Sequence, residues 1–142
     1  MKNELKVCIV DYGIGNIKAF KNIYDNLNIN VEIASRKDQF INATHLILPG
    51  VGTYENVMNY LIKNKLDKFI KRFSKDKSKK IIGICIGMQI LSNKGNETHD
   101  KKYIDGLGLI NAQTEKLNNV HIGWNKVRTD NFLDQKFNNK YF

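Results

Sequence analysis

The stretch Lys80-Ile81-Ile82-Gly83-Ile84-Cys85-Ile86-Gly87-Met88-Gln89-Ile90-Leu91 decides the fold. The apolar run over residues 81–84 reads as a strand buried on both faces, as in a parallel sheet. A sharp turn follows, and a helix begins over residues 88–92. Gly83 and Gly87 bracket Cys85 in the Gly-x-nucleophile-x-Gly arrangement of a nucleophile elbow, with Cys where Ser is commoner. The glycines let neighbouring backbone close around a strained turn whose central residue projects above the sheet. A thiol held there faces a helix N-terminus, whose unpaired N–H groups and dipole favour negative charge. The other reading of the same residues is a buried structural Cys between two packing glycines.

Upstream, three further strands alternate with helices. Residues 5–10 form the first, ending in the glycine-rich turn Asp11-Tyr12-Gly13-Ile14-Gly15-Asn16. The helix after it sets Ile17, Phe20, Tyr24 and Leu27 on one face. Residues 31–35 form the second strand, a short helix covers 37–41, and His45-Leu46-Ile47-Leu48 is the third strand. Pro49-Gly50-Val51-Gly52 breaks regular structure before a helix over 54–64 with Val57, Met58, Leu61 and Ile62 inward, and another over 66–73. This alternation implies right-handed crossovers and a doubly wound, mostly parallel sheet. Ligands of such sheets sit beyond the carboxyl ends of the strands. The glycine-rich turns at 13–15, 50–52 and 83–87 all fall at those ends, which strengthens the catalytic reading of Cys85.

Downstream, residues 93–105 read as a polar surface loop, and Gly106-Leu107-Gly108-Leu109-Ile110 opens a region of short antiparallel strands over 114–117, 120–122 and 124–128. A length of 142 residues without repeat or linker suits one domain, 1–142. With 42% hydrophobic and 26% charged residues the composition is that of a globular protein, and no apolar run approaches the ~20 residues of a membrane span. Residues 1–5 lack a signal-peptide core, and Cys8 and Cys85 sit apart in apolar runs, so reduced thiols and a cytoplasmic location are expected. The net charge of +9 comes largely from scattered lysines and one cluster over residues 63–80. That cluster accompanies an amphipathic helix burying Leu66, Phe69, Ile70 and Phe73, so it reads as a solvated face rather than a nucleic-acid surface.

Pro49-Gly50-Val51-Gly52 follows a strand and precedes a helix, so its N–H groups are placed to stabilise an oxyanion; alone it is a plain turn. A base is harder to find. His45 begins a strand, at the wrong end of the sheet; His99 lies in the polar loop; His121 suits a part-buried or interface role. A dinucleotide fingerprint over residues 13–18 fails at Lys18, where the pattern needs glycine, and Arg36 alone does not restore it.

With these residues in hand, the chain resembles the class I, triad-type glutamine amidotransferases. Among them it is similar to the glutaminase subunits of imidazole glycerol phosphate synthase. The matching motifs are Asp11-Tyr12-Gly13-Ile14-Gly15-Asn16, Leu48-Pro49-Gly50-Val51-Gly52, Gly83-Ile84-Cys85-Ile86-Gly87-Met88-Gln89, Gly106-Leu107-Gly108-Leu109-Ile110 and His121-Ile122-Gly123-Trp124-Asn125, in the family's order. The resemblance implies a flavodoxin-like α/β fold and a Cys85 that attacks the side-chain amide of glutamine. It implies an oxyanion hole from Ile86 and the Gly50, Val51, Gly52 loop, and glutamine binding by Gly52, Gln89 and Glu97. Ammonia would pass to a (β/α)₈-barrel synthase subunit, docked through Tyr12, Gly13, Asn16, His121, Gly123 and Trp124. No cofactor, metal, nucleic acid or membrane is implied.

The family's catalytic His and Glu follow a Tyr-Phe-Val-His-Ser-Tyr-like strand, and this sequence stops at Tyr141-Phe142, where that strand begins. The expectation is a C-terminally truncated chain that is inactive alone. Val120 also departs from the Pro of many relatives. Two alternatives stay open: a paralogous amidotransferase subunit for surface-sugar biosynthesis, and a truncated, non-catalytic docking protein.

Overall fold

The computed structural model describes residues 5–14, 17–119 and 122–126. Four short strands form its main sheet: β1 (Val7–Val10), β2 (Val31–Ala34), β3 (His45–Leu48) and β4 (Lys80–Gly83). All pair in parallel, in the order β2-β1-β3-β4, with Val7 opposite both Val31 and His45 and Leu48 opposite Gly83. That is the strand order of doubly wound, flavodoxin-like sheets.

Side chains alternate across the strands with period two, so one run of apolar residues feeds two cores. Cys8, Val10, Leu46 and Leu48 point to the face covered by α2 (Tyr54–Lys63), α3 (Leu66–Phe73) and α4 (Ile86–Gln89). Val7, Ile9, Val31 and Ile47 point to the other face, under α1 (Ile17–Asn26). The lysines after residue 63 are largely exposed around α3, which buries Leu66, Ile70 and Phe73, and Lys79 lies over the Phe73 ring.

Several expectations are corrected here. β4 is not buried on both faces: it is an edge of the described sheet, and Ile82 is 45% exposed. Ile82 shares the face of its partner Ile47, and among the described residues α1 packs chiefly on β2, at the other side of the sheet. Leu27 and Ile62 are exposed, because α1 ends at Asn26 and α2 turns Ile62 away from the sheet. The short helix is a 3₁₀ turn, Lys37–Phe40.

The polar segment 93–105 is more ordered than its composition suggests. It contributes β5 (Lys94–Gly95) and β6 (Ile104–Asp105), which with β7 (Gln113–Thr114) make a second sheet in the order β6-β5-β7. The β5–β6 pair is antiparallel and the β5–β7 pair parallel, so this region is mixed rather than antiparallel. It is anchored by Tyr54, whose buried hydroxyl meets Ser92 Oγ at 3.2 Å and whose ring lies where a Cβ on Gly95 would fall. Of the expected pieces 120–122 and 124–128, part lies outside the described residues.

Candidate active site

Cys85 sits between β4 and α4 with φ 52° and ψ −118°, a backbone state that L-residues adopt only under constraint. The constraint is visible in the backbone. Ile84 N–H donates to Leu48 O at 2.9 Å, extending the sheet by one residue, and Gly87 N–H turns back to Ile84 O at 2.9 Å. Met88 and Gln89 N–H then both reach Cys85 O, which closes the first turn of α4. The turn is so tight that a Cβ on Gly87 would strike the Leu48 carbonyl and lie 2.8 Å from Pro49 O. A Cβ on Gly50 would strike Ile84 O and come within 2.6 Å of Ile86 N. The elbow and the 50–52 loop are therefore packed backbone to backbone.

The thiol of Cys85 is exposed and unpaired, whereas Cys8 is buried in the sheet. Burial, with the nearby Glu32 charge, pushes the Cys8 thiol above its ordinary range and leaves it a poor nucleophile. Ile86 N–H, the first amide of α4, donates to no acceptor among the described residues. It lies against Gly50, with Val51 exposed beside it and Gly52 at φ +116°. Unpaired N–H groups next to an exposed nucleophile form the geometry that receives an oxyanion.

Gln89 stands one helical turn beyond Cys85, its carbonyl held by Thr114 Oγ1 at 3.1 Å. It shares a cavity of about 460 Å³ with Glu97 and residues 114–119. A neighbouring cavity of about 400 Å³ lies between the first turn of α2 and residues 97–99. Glu97 joins the two. Its Oε2 accepts from Tyr54 N–H at 3.2 Å, placing a carboxylate on the α2 N-terminus that follows the 50–52 loop. Its carbonyl accepts from Glu55 N–H, and Glu55 Oε2 accepts in turn from His99 N–H at 2.8 Å. Sequence reasoning did not find this clasp, since nothing local in the polar segment signals contact with α2.

His45 opens β3 at the amino end of the sheet, with Nδ1 2.9 Å from Thr44 Oγ1. A separate cavity of about 290 Å³ near that end is lined by Cys8, Glu32 and Asp38. His99 borders the second cavity through the Glu55 contact. Neither imidazole is hydrogen-bonded to Cys85. Tyr12 is 1% exposed, its ring edge-on to Tyr60, so the 11–14 turn presents its backbone and the part-exposed Ile14. Gly13 N–H is held by Asp11 Oδ1 at 2.7 Å. Trp124 and Ile122 are 80% and 90% exposed on either side of Gly123. Asn16 and His121 lie outside the described residues.

Residues 7–138 match the family model of the CobB/CobQ-like glutamine amidotransferase domain. This chain belongs to the glutamine amidotransferases. Curated relatives named imidazole glycerol phosphate synthase subunit HisH are similar to it. The protein from Bdellovibrio bacteriovorus is 35% identical over 129 residues, 84% of this chain and 61% of the relative. Its counterpart from Leptospira borgpetersenii is 34% identical, over 85% of this chain and 62% of the relative. That from Listeria welshimeri is 34% identical over 95% of this chain and 67% of the relative. The amidotransferase chain thus spans about six-tenths of the length of the first two. A solved structure described as a glutamine amidotransferase superposes with a TM-score of 0.64 at 18% identity, covering 77% of this chain and 55% of that one. That likeness shows the shared fold: a doubly wound parallel sheet of the class I amidotransferase type.

Proposed function

We propose that residues 1–142 form one amidotransferase domain of a cytoplasmic glutaminase subunit, one that releases ammonia from glutamine for a synthase partner. Cys85 Sγ attacks the side-chain amide carbon, forming a thioester as the carbon–nitrogen bond breaks. The thiol proton leaves with the amide nitrogen as ammonia, and water then releases glutamate and the free thiol. Ile86 N–H and the Gly50-Val51-Gly52 loop receive the oxyanion, and Gly52, Gln89 and Glu97 hold the substrate. The partner is a (β/α)₈-barrel subunit, met by the turn that carries Tyr12, Gly13 and Asn16 and by the segment of His121, Gly123 and Trp124. There the ammonia joins a phosphoribosyl substrate to give imidazole glycerol phosphate and an aminoimidazole carboxamide ribotide, a step of histidine biosynthesis.

The observation carrying this reading is the exposed thiol at φ 52°, locked between two glycine-lined backbone approaches and beside the open N–H of Ile86. The similarity to the HisH subunits supports the pathway. The test is alkylation by a γ-diazoketone analogue of glutamine followed by peptide mapping. The adduct is expected on Cys85, with Cys8 unmodified. An adduct confined to Cys8 overturns the assignment.

A further inference from the structure

A chain of three hydroxyls runs from the end of α4 to the start of α2. Thr114 Oγ1 donates to Gln89 O, the last carbonyl of α4, at 3.1 Å. Ser92 Oγ lies 3.2 Å from Thr114 Oγ1 and 3.2 Å from the Tyr54 hydroxyl. Tyr54, the first residue of α2, is fully buried, and Ser92 is buried as well. Among the described residues the Tyr54 hydroxyl has no other hydrogen-bond partner, so it donates to Ser92 Oγ. Ser92 in turn donates to Thr114 Oγ1 or to Lys94 O, 3.1 Å away.

The surroundings leave room for this chain. A Cβ on Gly95 would fall 2.6 Å from the Tyr54 ring, and one on Gly106 would strike the Tyr54 hydroxyl. Hydroxyls removed from water cost free energy unless they are paired, and apolar side chains of the same shape fill a core without that cost. Core filling therefore accounts for the ring of Tyr54 but not for the three hydroxyls.

What they join is the backbone on either side of the nucleophile. The helix α4 is a single turn, too short to hold its own direction. Its first amide is the open N–H of Ile86, and its last carbonyl is the one that Thr114 grips, together with Ser92 N–H at 3.1 Å. Tyr54 lies two residues beyond Gly52, at the end of the loop whose Gly50 packs against Ile86. The chain thus spans the two backbones that converge on the oxyanion position.

We propose that Tyr54, Ser92 and Thr114 are positioning residues: their hydroxyls tie the end of α4 to the start of α2 and so set how Ile86 N–H meets the 50–52 loop. The inference rests on the glutaminase reading and adds to it the support of its oxyanion hole. None of the three acts on the substrate; they act through the backbone of α4 and α2. Hydroxyls that only stabilised the core would lower stability on removal and leave the chemistry of the elbow unchanged.

The test compares two reagents for Cys85 in the full chain. The glutamine γ-diazoketone presents a carbonyl oxygen to the oxyanion donors, whereas iodoacetamide is displaced at saturated carbon and develops no oxyanion. Thr114→Val and Tyr54→Phe each remove a hydroxyl and keep the shape of the side chain. Each is expected to slow the diazoketone about tenfold, less than the ~10²–10³ of losing an oxyanion donor outright. The iodoacetamide rate stays that of the wild type, and Thr114→Ser, which keeps the hydroxyl, behaves as wild type with both reagents. An unchanged ratio of the two rates in Thr114→Val and Tyr54→Phe, with the wild type alkylated at Cys85, overturns this inference alone. Equal slowing of both reagents also overturns it, as does a Thr114→Ser protein that behaves like Thr114→Val. Failure of the glutamine diazoketone to alkylate wild-type Cys85 overturns the glutaminase reading itself.

Discussion

Cys85 and Tyr12 are each held in a state the isolated residue would avoid. The φ of 52° with ψ of −118° at Cys85 costs about 1–3 kcal/mol for a side-chain-bearing residue. Glycine adopts it freely but loses more entropy on folding, about 0.5–1 kcal/mol. Cys85→Gly is therefore expected to raise the urea midpoint, by roughly 1 kcal/mol net, while abolishing alkylation by the glutamine analogue. A lower midpoint would show that the elbow is unstrained. Tyr12 is buried with its hydroxyl unpartnered among the described residues, and burial pushes its phenol far above the ordinary 10.0. Below pH 10 both folded and unfolded phenols keep their proton. Above it the unfolded phenol ionises first, so the folded state loses stability as pH rises. Tyr54 and Tyr60 are raised by burial in the same direction, and they titrate in wild type and variant alike. Tyr12→Phe is expected to gain roughly 1 kcal/mol at pH 7 by removing an unsatisfied hydroxyl. Between pH 8 and 11 it should lose roughly 1 kcal/mol less than wild type in urea titrations.

At the scale of elements, the site depends on the start of α2. Thr53 caps it, Oγ1 accepting from Asn56 N–H at 3.3 Å with the backbone extended at φ −96°. Glu97 adds its carboxylate to the same terminus, and Glu55 ties His99 back to it. This terminus fixes where the 50–52 loop ends, so cap and loop are mechanically one unit. Thr53→Ala is expected to destabilise the chain by about 1 kcal/mol in urea unfolding. It should also slow alkylation of Cys85 by the glutamine diazoketone more than alkylation by iodoacetamide. Equal slowing of both would show that the cap supports the elbow and not the substrate side.

Across the whole molecule, exposed apolar side chains are spread over the described residues, and some of them stand at the carboxyl end of the sheet. Ile14 and Val51 follow the carboxyl ends of β1 and β3, and Met88 stands on α4; all are exposed. Ile122 and Trp124 are exposed as well, at 90% and 80%. An exposed aromatic ring such as that of Trp124 is the kind of side chain that anchors a protein interface. Trp124→Ala is expected to leave the urea midpoint within about 0.5 kcal/mol, because the ring is already in solvent. It should weaken binding to the proposed barrel synthase by about 30-fold or more, the loss typical of an aromatic anchor. Unchanged affinity by calorimetry would place the interface elsewhere.

The sequence by itself determined the strands and the elbow. The cores of β1, β2 and β3 were legible because apolar runs between glycine-rich turns leave few other solutions. Cys85 was legible because the two glycines around it, Gly83 and Gly87, answer a steric demand only five residues wide. Gly50 and Gly87 are needed where a Cβ would meet backbone, and backbone approach leaves a mark in the sequence. What only the tertiary structure decided depends on partners far along the chain. The order β2-β1-β3-β4 made β4 an edge of the described sheet and left Ile82 half in water. It also turned Tyr12 from a residue of the turn's surface into one of the core. The clasp of Glu97 on Tyr54 spans 43 residues. An exposed lysine or glutamate in a polar stretch has no local pattern that distinguishes it from solvated surface. Its role is set by which distant backbone it meets, and hydrogen bonds closed by chain topology are not encoded in a window of neighbouring residues.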